Sequence, residues 1–193
     1  MPRVPGGPAE EERPGISGRT VAMLISSSSD MSLKDCQRMM LNWVMAEQDR
    51  IVSASRRIAA PAVAIFELIA DPGRQPEWDG NDNLAQAAPG QRVRGVGDVF
   101  TMTLTLGADR ENHVVEFDEG RLIAWRPSEP GNTPPGHLWR WQLEPVDDAT
   151  TVVTHTYDWT DLTDPKRFDR ASATTADKLR ASIDRLAALA ERS

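Results

Sequence analysis

Cysteine, tyrosine and histidine are scarce in this chain, and basic charge is in deficit. Cys36 is the lone cysteine among 193 residues, so no internal disulfide can close and a reducing cytoplasm is the expected compartment. Lysine and arginine number 22 against 29 acidic residues, for a net charge of −7. That balance speaks against a nucleic-acid partner, because a phosphate backbone is held by clustered cations. No basic amphipathic helix is available to dock on anionic lipid. Long apolar runs are missing too, and none approaches the roughly 20 residues of a membrane helix. The longest early one, Val21 to Ile25, is too short for a signal-peptide core and follows Glu10, Glu11 and Glu12. A soluble protein without membrane insertion is expected.

What is present is ordinary globular material, 39% hydrophobic and 26% charged, enough for one domain with a proper core. The first thirty residues are the exception. They are rich in Pro, Gly and Ser and bury too little apolar surface to offset their ordering entropy, so residues 1–31 are expected to be disordered. Ser32 with Asp35 can cap a helix over 32–47, where Leu33, Cys36, Met40 and Trp43/Val44 recur at helical spacing. Residues 1–49 thus read as an N-terminal extension. Met45 to Asp49 also reads as a natural beginning for the domain that follows, which leaves open whether residues 1–44 belong to the natural protein.

From residue 50 the pattern is regular. Residues 50–58 alternate as a half-buried strand does, and Pro61 opens a helix through Ala70 with Val63, Phe66 and Ile69/Ala70 on its buried face. Asp71-Pro72-Gly73 stops it; a helical turn at 74–79 and a weak strand at 82–88 follow. Strands are expected at 98–106, 110–118, 121–126, 137–144 and 150–159. Turns at Asp118-Glu119-Gly120 and Asp147-Asp148-Ala149 make neighbours antiparallel. Residues 126–136 carry four prolines and read as a loop overhanging one end of the sheet. Asp164-Pro165 starts helix, a break is expected near Ser172, and Thr174 with Asp177 restarts it as a capping box. Leu179, Ile183, Leu186, Ala187 and Ala190 then form one apolar stripe.

A strand, two short helices, a run of antiparallel strands and a long terminal helix is an unusual order. The residues carrying it are Ile58-Ala59-Ala60-Pro61, Phe66 to Pro72, Pro76-Glu77-Trp78, the turn Gly95-Val96-Gly97-Asp98 and the helix from Leu179 to Leu189. Over residues 50–191 this resembles the START-like (SRPBCC) superfamily, in its bacterial polyketide cyclase/dehydrase and lipid-transport branch. The resemblance implies an α+β helix-grip fold, a curved antiparallel sheet wrapped around the C-terminal helix with a cavity between them. It carries over no catalytic residue, since the matching positions are caps, turns and packing residues.

Alternation assigns each strand residue a face. Phe100, Met102, Leu104 and Leu106 oppose three threonines, and their side is taken as inward. The same phase puts His113, Val115 and Phe117 inside, then Ile123 and Trp125. His137, Trp139, Trp141 and Leu143 follow, then Val153, His155, Tyr157 and Trp159. Four of the six tryptophans, all three histidines and the single tyrosine therefore share the inner face. A packed core would more cheaply use Leu or Phe, because an unpartnered buried imidazole or phenol costs about 1–3 kcal/mol. The expected ligand-binding set is Phe100, Met102, His113, Trp125, His137, Trp139, Trp141, His155 and Tyr157, as the few orienting groups of an apolar, aromatic pocket.

The function expected is binding or carriage of a hydrophobic small molecule, lipid or polyketide-like, with no cofactor and no metal. The histidines lack ligand spacing, and phosphate-loop and nucleophile-elbow motifs are absent. One alternative is a polyketide cyclase, aromatase or dehydratase acting on a bound chain, with His155 and Tyr157 as the acid–base pair. Another is a non-catalytic stress or interaction protein with a filled core. Asp169, Arg170, Lys178, Arg180, Asp184 and Arg185 read as a solvated helix face. Nothing in the sequence fixes the oligomeric state.

Overall fold

The computed structural model describes residues 50–192, together with Leu33, Lys34 and Gln37. Those three are helical; the expected disorder at 1–31 and the rest of the helix at 32–47 lie outside the described residues.

Strand β1 (Ile51–Ile58) leads through Pro61, whose extended backbone caps helix α1 (Ala62–Ala70). The buried face of α1 is Ile65, Phe66, Leu68, Ile69 and Ala70, whereas Val63, expected inside, is 64% exposed in the first turn. Asp71 ends the helix and accepts from the Gly73 amide at 2.9 Å, opening a 3-10 turn (Pro72–Arg74) and the one-turn helix α2 (Gln75–Trp78). After the short strand β2 (Leu84–Gln86) come β3 (Val99–Leu104), β4 (Asp109–Asp118), β5 (Leu122–Ser128), β6 (Leu138–Asp147) and β7 (Thr150–Asp158). They form a seven-stranded antiparallel sheet in the order β1-β7-β6-β5-β4-β3-β2. Only β1 is out of sequence, pairing with β7.

A 3-10 turn (Pro165–Arg167) capped by Asp164, then α3 (Phe168–Ser172), precede the long helix α4 (Ala176–Ala190). The expected break is there, but the restart differs. Thr175 is the N-cap, and no side-chain cap bond forms. Leu179, Ile183, Leu186 and Ala187 are fully buried where α4 crosses β1 and β7. Each large aliphatic side chain so buried contributes about 1.5–3 kcal/mol, which is what fastens the helix to the sheet. The charged face of α4 is only partly solvated: Arg56 of β1 pairs with Asp184 at 2.7 Å, and Arg185 reaches Asp82 at 2.6 Å.

Two glycines permit close approaches. A Cβ on Gly80 would lie 2.4 Å from the Ser182 nitrogen, where the α2–β2 loop rests on α4. One on Gly136 would lie 2.2 Å from the Asp161 carbonyl oxygen, and Gly136 has φ of +117°. The proline-rich loop is thereby seated against residues 161–162. It begins later than expected, since β5 continues through Arg126 and Pro127 to Ser128.

Candidate functional site

The inner face of β6 and β7 carries a cross-strand stack of rings. Trp139 lies opposite Tyr157 and Trp141 opposite His155, because antiparallel pairing places partners side by side on one face. Trp141 and His155 are stacked at 3.7 Å and 11°. Trp139 packs on Tyr157 at 4.3 Å and sits 5.5 Å from His155. The stack is extended at one end by His137, 6.0 Å from Tyr157, and at the other by Trp78, edge-on to Trp141 at 5.1 Å. Trp78 is itself pinned by its indole N–H, which donates to the Leu68 carbonyl at 2.9 Å.

These rings form one wall of a cavity of about 310 Å³. The opposite wall comes from Met102 and Leu104 of β3, Arg110 and Asn112 of β4, and Trp125 of β5. Gln75, Asp79 and Ser182 lie at its α2–α4 side, while His137, Arg167, Arg170 and Lys178 lie toward the segments around residues 137 and 165–178. Asp79 is fully engaged, accepting from the amides of Asn81, Asn83 and Leu84 at 2.8–3.0 Å.

Of the nine residues expected to bind ligand, seven line this cavity: Met102, Trp125, His137, Trp139, Trp141, His155 and Tyr157. Phe100 is inward but lies outside the lining, buried edge-on against Trp125 at 5.5 Å. His113 faces the other side of the sheet. A β-bulge between Val114 and Glu116 leaves Val115 as an extra residue, which inverts the phase read back from Phe117. Arg110, Asn112 and Val114 therefore point inward, and His113 hydrogen-bonds the Ser128 hydroxyl at 3.0 Å on the outer face. Val115 is correspondingly exposed. Leu106 is also corrected: β3 ends at Leu104, and Leu106 is exposed in the turn. His137 precedes β6 rather than belonging to it.

Sequence reasoning missed Arg110, Asn112, Gln75 and Arg170 as cavity residues. The polar alternation Arg110, Asn112 was visible, but only the bulge decides that it faces in. Arg170 is exposed, in line with its reading as part of a solvated helix face, and it also lines the cavity from α3.

The titratable groups are displaced from neutrality. His155 is fully enclosed, and loss of hydration holds its imidazole down at about 3, partly offset by the Leu179 backbone. Burial also lowers His137 to about 4, helped by the positive charges of Arg167, Arg170 and Arg110. Tyr157 is pushed up to about 12 by burial. Two ring nitrogens at the deep end, His155 Nδ1 and Trp141 Nε1, have no hydrogen-bond partner among the described residues. No group of three His, Cys, Asp or Glu residues among the described residues converges as a metal site.

The model of the family described as polyketide cyclase/dehydrase and lipid transport matches residues 49–191. The chain belongs to that family. The uncharacterised protein Rv0088 of Mycobacterium tuberculosis strain H37Rv is 32% identical over 111 residues, covering 56% of this chain and 47% of that protein. The chain thus spans about half the length of the curated relatives it matches. Among solved structures, the ZhuI aromatase/cyclase from Streptomyces sp. R1128 aligns with a TM-score of 0.55 at 20% identity, covering 74% of this chain and 94% of that one. A START superfamily protein from Mycobacterium smegmatis aligns with a TM-score of 0.54 at 14% identity, covering 74% and 97%. At such identities the likeness is one of fold alone. Among the described residues no helix is long and apolar enough to cross a membrane.

Proposed function

We propose that the domain binds one small hydrophobic, ring-bearing molecule, lipid-like or polyketide-like, between the sheet and α4. The observation that carries this reading is the ring stack from His137 to Trp78 along one wall of the cavity. A flat guest gains offset or edge contacts with such a wall, each worth about 0.5–1.5 kcal/mol beyond area burial. The volume of about 310 Å³ is at the low end of the roughly 300–1,000 Å³ of small-molecule sites, which suits a compact ring system. His155 Nδ1 and Trp141 Nε1 supply the polar complement, since an unpaired buried nitrogen gains most from a guest that bonds it.

Binding is favoured over proton-transfer catalysis by the same groups. General acid–base work is most efficient when the catalytic pKa lies near the operating pH. His155 near 3 and Tyr157 near 12 lie far to either side. That supports reading them as fixed, uncharged hydrogen-bonding groups. The acidic net charge and single cysteine support a cytoplasmic carrier or binder without a nucleic-acid partner.

Calorimetric titration with a neutral bicyclic probe, naphthalene-2-carboxamide, tests the reading. One equivalent should bind, and Trp139→Ala should weaken it roughly tenfold, near the upper end of an aromatic contact's worth. Trp139 is only half-buried, so the variant should fold. No binding of this probe or of other neutral ring compounds, or an unaltered affinity in Trp139→Ala, would overturn the reading.

A further inference from the structure

The cavity's charge runs opposite to that of the chain. Acidic residues outnumber basic ones 29 to 22 overall, yet the lining holds Arg110, Arg167, Arg170 and Lys178 against the single carboxylate of Asp79. That carboxylate is already saturated by three backbone amides. Arg167 is neutralised by Glu129 at 3.1 Å and Asp164 at 3.5 Å. Lys178 donates to the Ala173 carbonyl at 2.8 Å. Arg110 and Arg170 are the two lining guanidiniums without a carboxylate partner, and unlike the Lys178 ammonium a guanidinium can grip both oxygens of one. Among the described residues neither has an ion pair, and the side-chain bond Arg110 makes is to the carbonyl of its neighbour Asp109 at 2.7 Å.

These two guanidiniums come from separate elements, the inner face of β4 and α3, and they line one cavity. His137 lines it with them, and their positive charge, with that of Arg167, adds to burial in disfavouring the charged form of its ring. His137 in turn stands at the end of the ring stack, 6.0 Å from Tyr157. The cavity therefore has two chemical ends. One is aromatic, with two unpartnered ring nitrogens; the other is cationic, with unneutralised guanidiniums.

We propose that the ligand is an anionic amphiphile, a carboxylic acid with a ring-bearing body, whose carboxylate is held by Arg110 and Arg170 beside His137. This rests on the binding reading above and specifies the class of guest. A guanidinium presents two parallel N–H donors that match the two oxygens of a carboxylate, and the contact is strongest where water is partly excluded. Burial lowers the His137 imidazole first and the three arginine charges lower it further, which fits a site that collects positive charge. Carboxylate binding should therefore raise the His137 titration point, and a neutral guest should leave it unchanged.

The test compares naphthalene-2-carboxylate with naphthalene-2-carboxamide, which share one body and differ in charge, by calorimetry at pH 7.5 in low salt. The carboxylate should bind at least tenfold more tightly, and added salt should reduce the difference. The Arg110→Gln, Arg170→Gln double variant should erase the preference while keeping the amide's affinity. Arg121→Gln, at an exposed arginine outside the cavity, should preserve it. In proton NMR the His137 ring should titrate at higher pH with the carboxylate alone. Equal binding of acid and amide, or a preference that survives the double variant, would overturn this inference and leave ring binding intact. Failure of both probes to bind would overturn the two readings together.

Discussion

The two walls of the cavity are built by different means. On β6 and β7 the strands pair residue for residue from Leu138–Asp158 to Pro145–Thr151, so every second side chain faces in and the rings align in pairs. On β4 an extra residue interrupts the ladder, and Arg110 and Asn112 face in where a histidine would have been expected. The regular wall gives a continuous apolar surface; the irregular one delivers charge to it. Regular alternation suits holding a guest's body, whereas placing a guanidinium inside requires local departure from the pattern and a nearby helix to complete the site.

The comparison can be broken most forcefully at the regular wall. Trp141 is fully buried between His155 and Trp78, and Trp141→Ala should cost about 3–5 kcal/mol in urea unfolding. A loss below 1 kcal/mol would mean that the wall is not packed as described. Gly136→Ala comes next. It introduces a Cβ 2.2 Å from the Asp161 oxygen at a backbone φ of +117°. Combined strain and overpacking should cost about 3 kcal/mol and lower the melting temperature by roughly 10 °C. A melting temperature within a degree of the parent would refute the seating of the loop.

Acid sharpens the comparison further. The folded protein keeps His155 neutral down to about pH 3, while the unfolded chain protonates it below about 6.5. Below that pH the unfolded state binds the extra proton, so stability falls with acidification by about 1.4 kcal/mol per pH unit for this one group. His137 adds to the loss in the same direction, reduced by its partial exposure. Urea midpoints measured between pH 7 and 4.5 should show the decline, and His155→Phe should flatten it. An identical slope in that variant would remove His155 as the cause.

The smallest effect is expected beside the cationic end. The Arg50 guanidinium lies between Trp159 and Phe168, 4.9 and 4.8 Å from their centroids, and so ties β1 to α3. Arg50→Ala should cost about 0.5–1 kcal/mol. Faster amide hydrogen exchange in residues 165–172, with the strands unchanged, is the expected signature; uniform exchange would dismiss the tie.

Much of this was legible beforehand. The order of elements, both hairpin turns at Gly120 and Ala149, and the stripe Leu179 to Ala190 follow from local chemistry, and each is found in the fold. Trp139, Trp141, His155 and Tyr157 were assigned to one face because β6 and β7 keep strict period two. His113 and Val115 were misassigned because a single-residue insertion leaves no mark in residue type, since valine suits either face. Val63 misled because the buried face of the helix is centred on Ile65, Phe66 and Ile69, which leaves Val63 turned to solvent.

The sequence by itself determined the order of strands and helices, through periodicity and turn residues whose preferences act within a few positions, and its resemblance to a known family implied the helix grip. It also determined that rings and imidazoles would gather on one side of β6 and β7. Only the tertiary structure decided that Arg110 and Arg170, sixty residues apart, line one cavity with His137, and that the cations of that lining outnumber its carboxylates. Such convergence depends on where strands bulge and how the last helices fold back, and no local preference encodes a distance between elements.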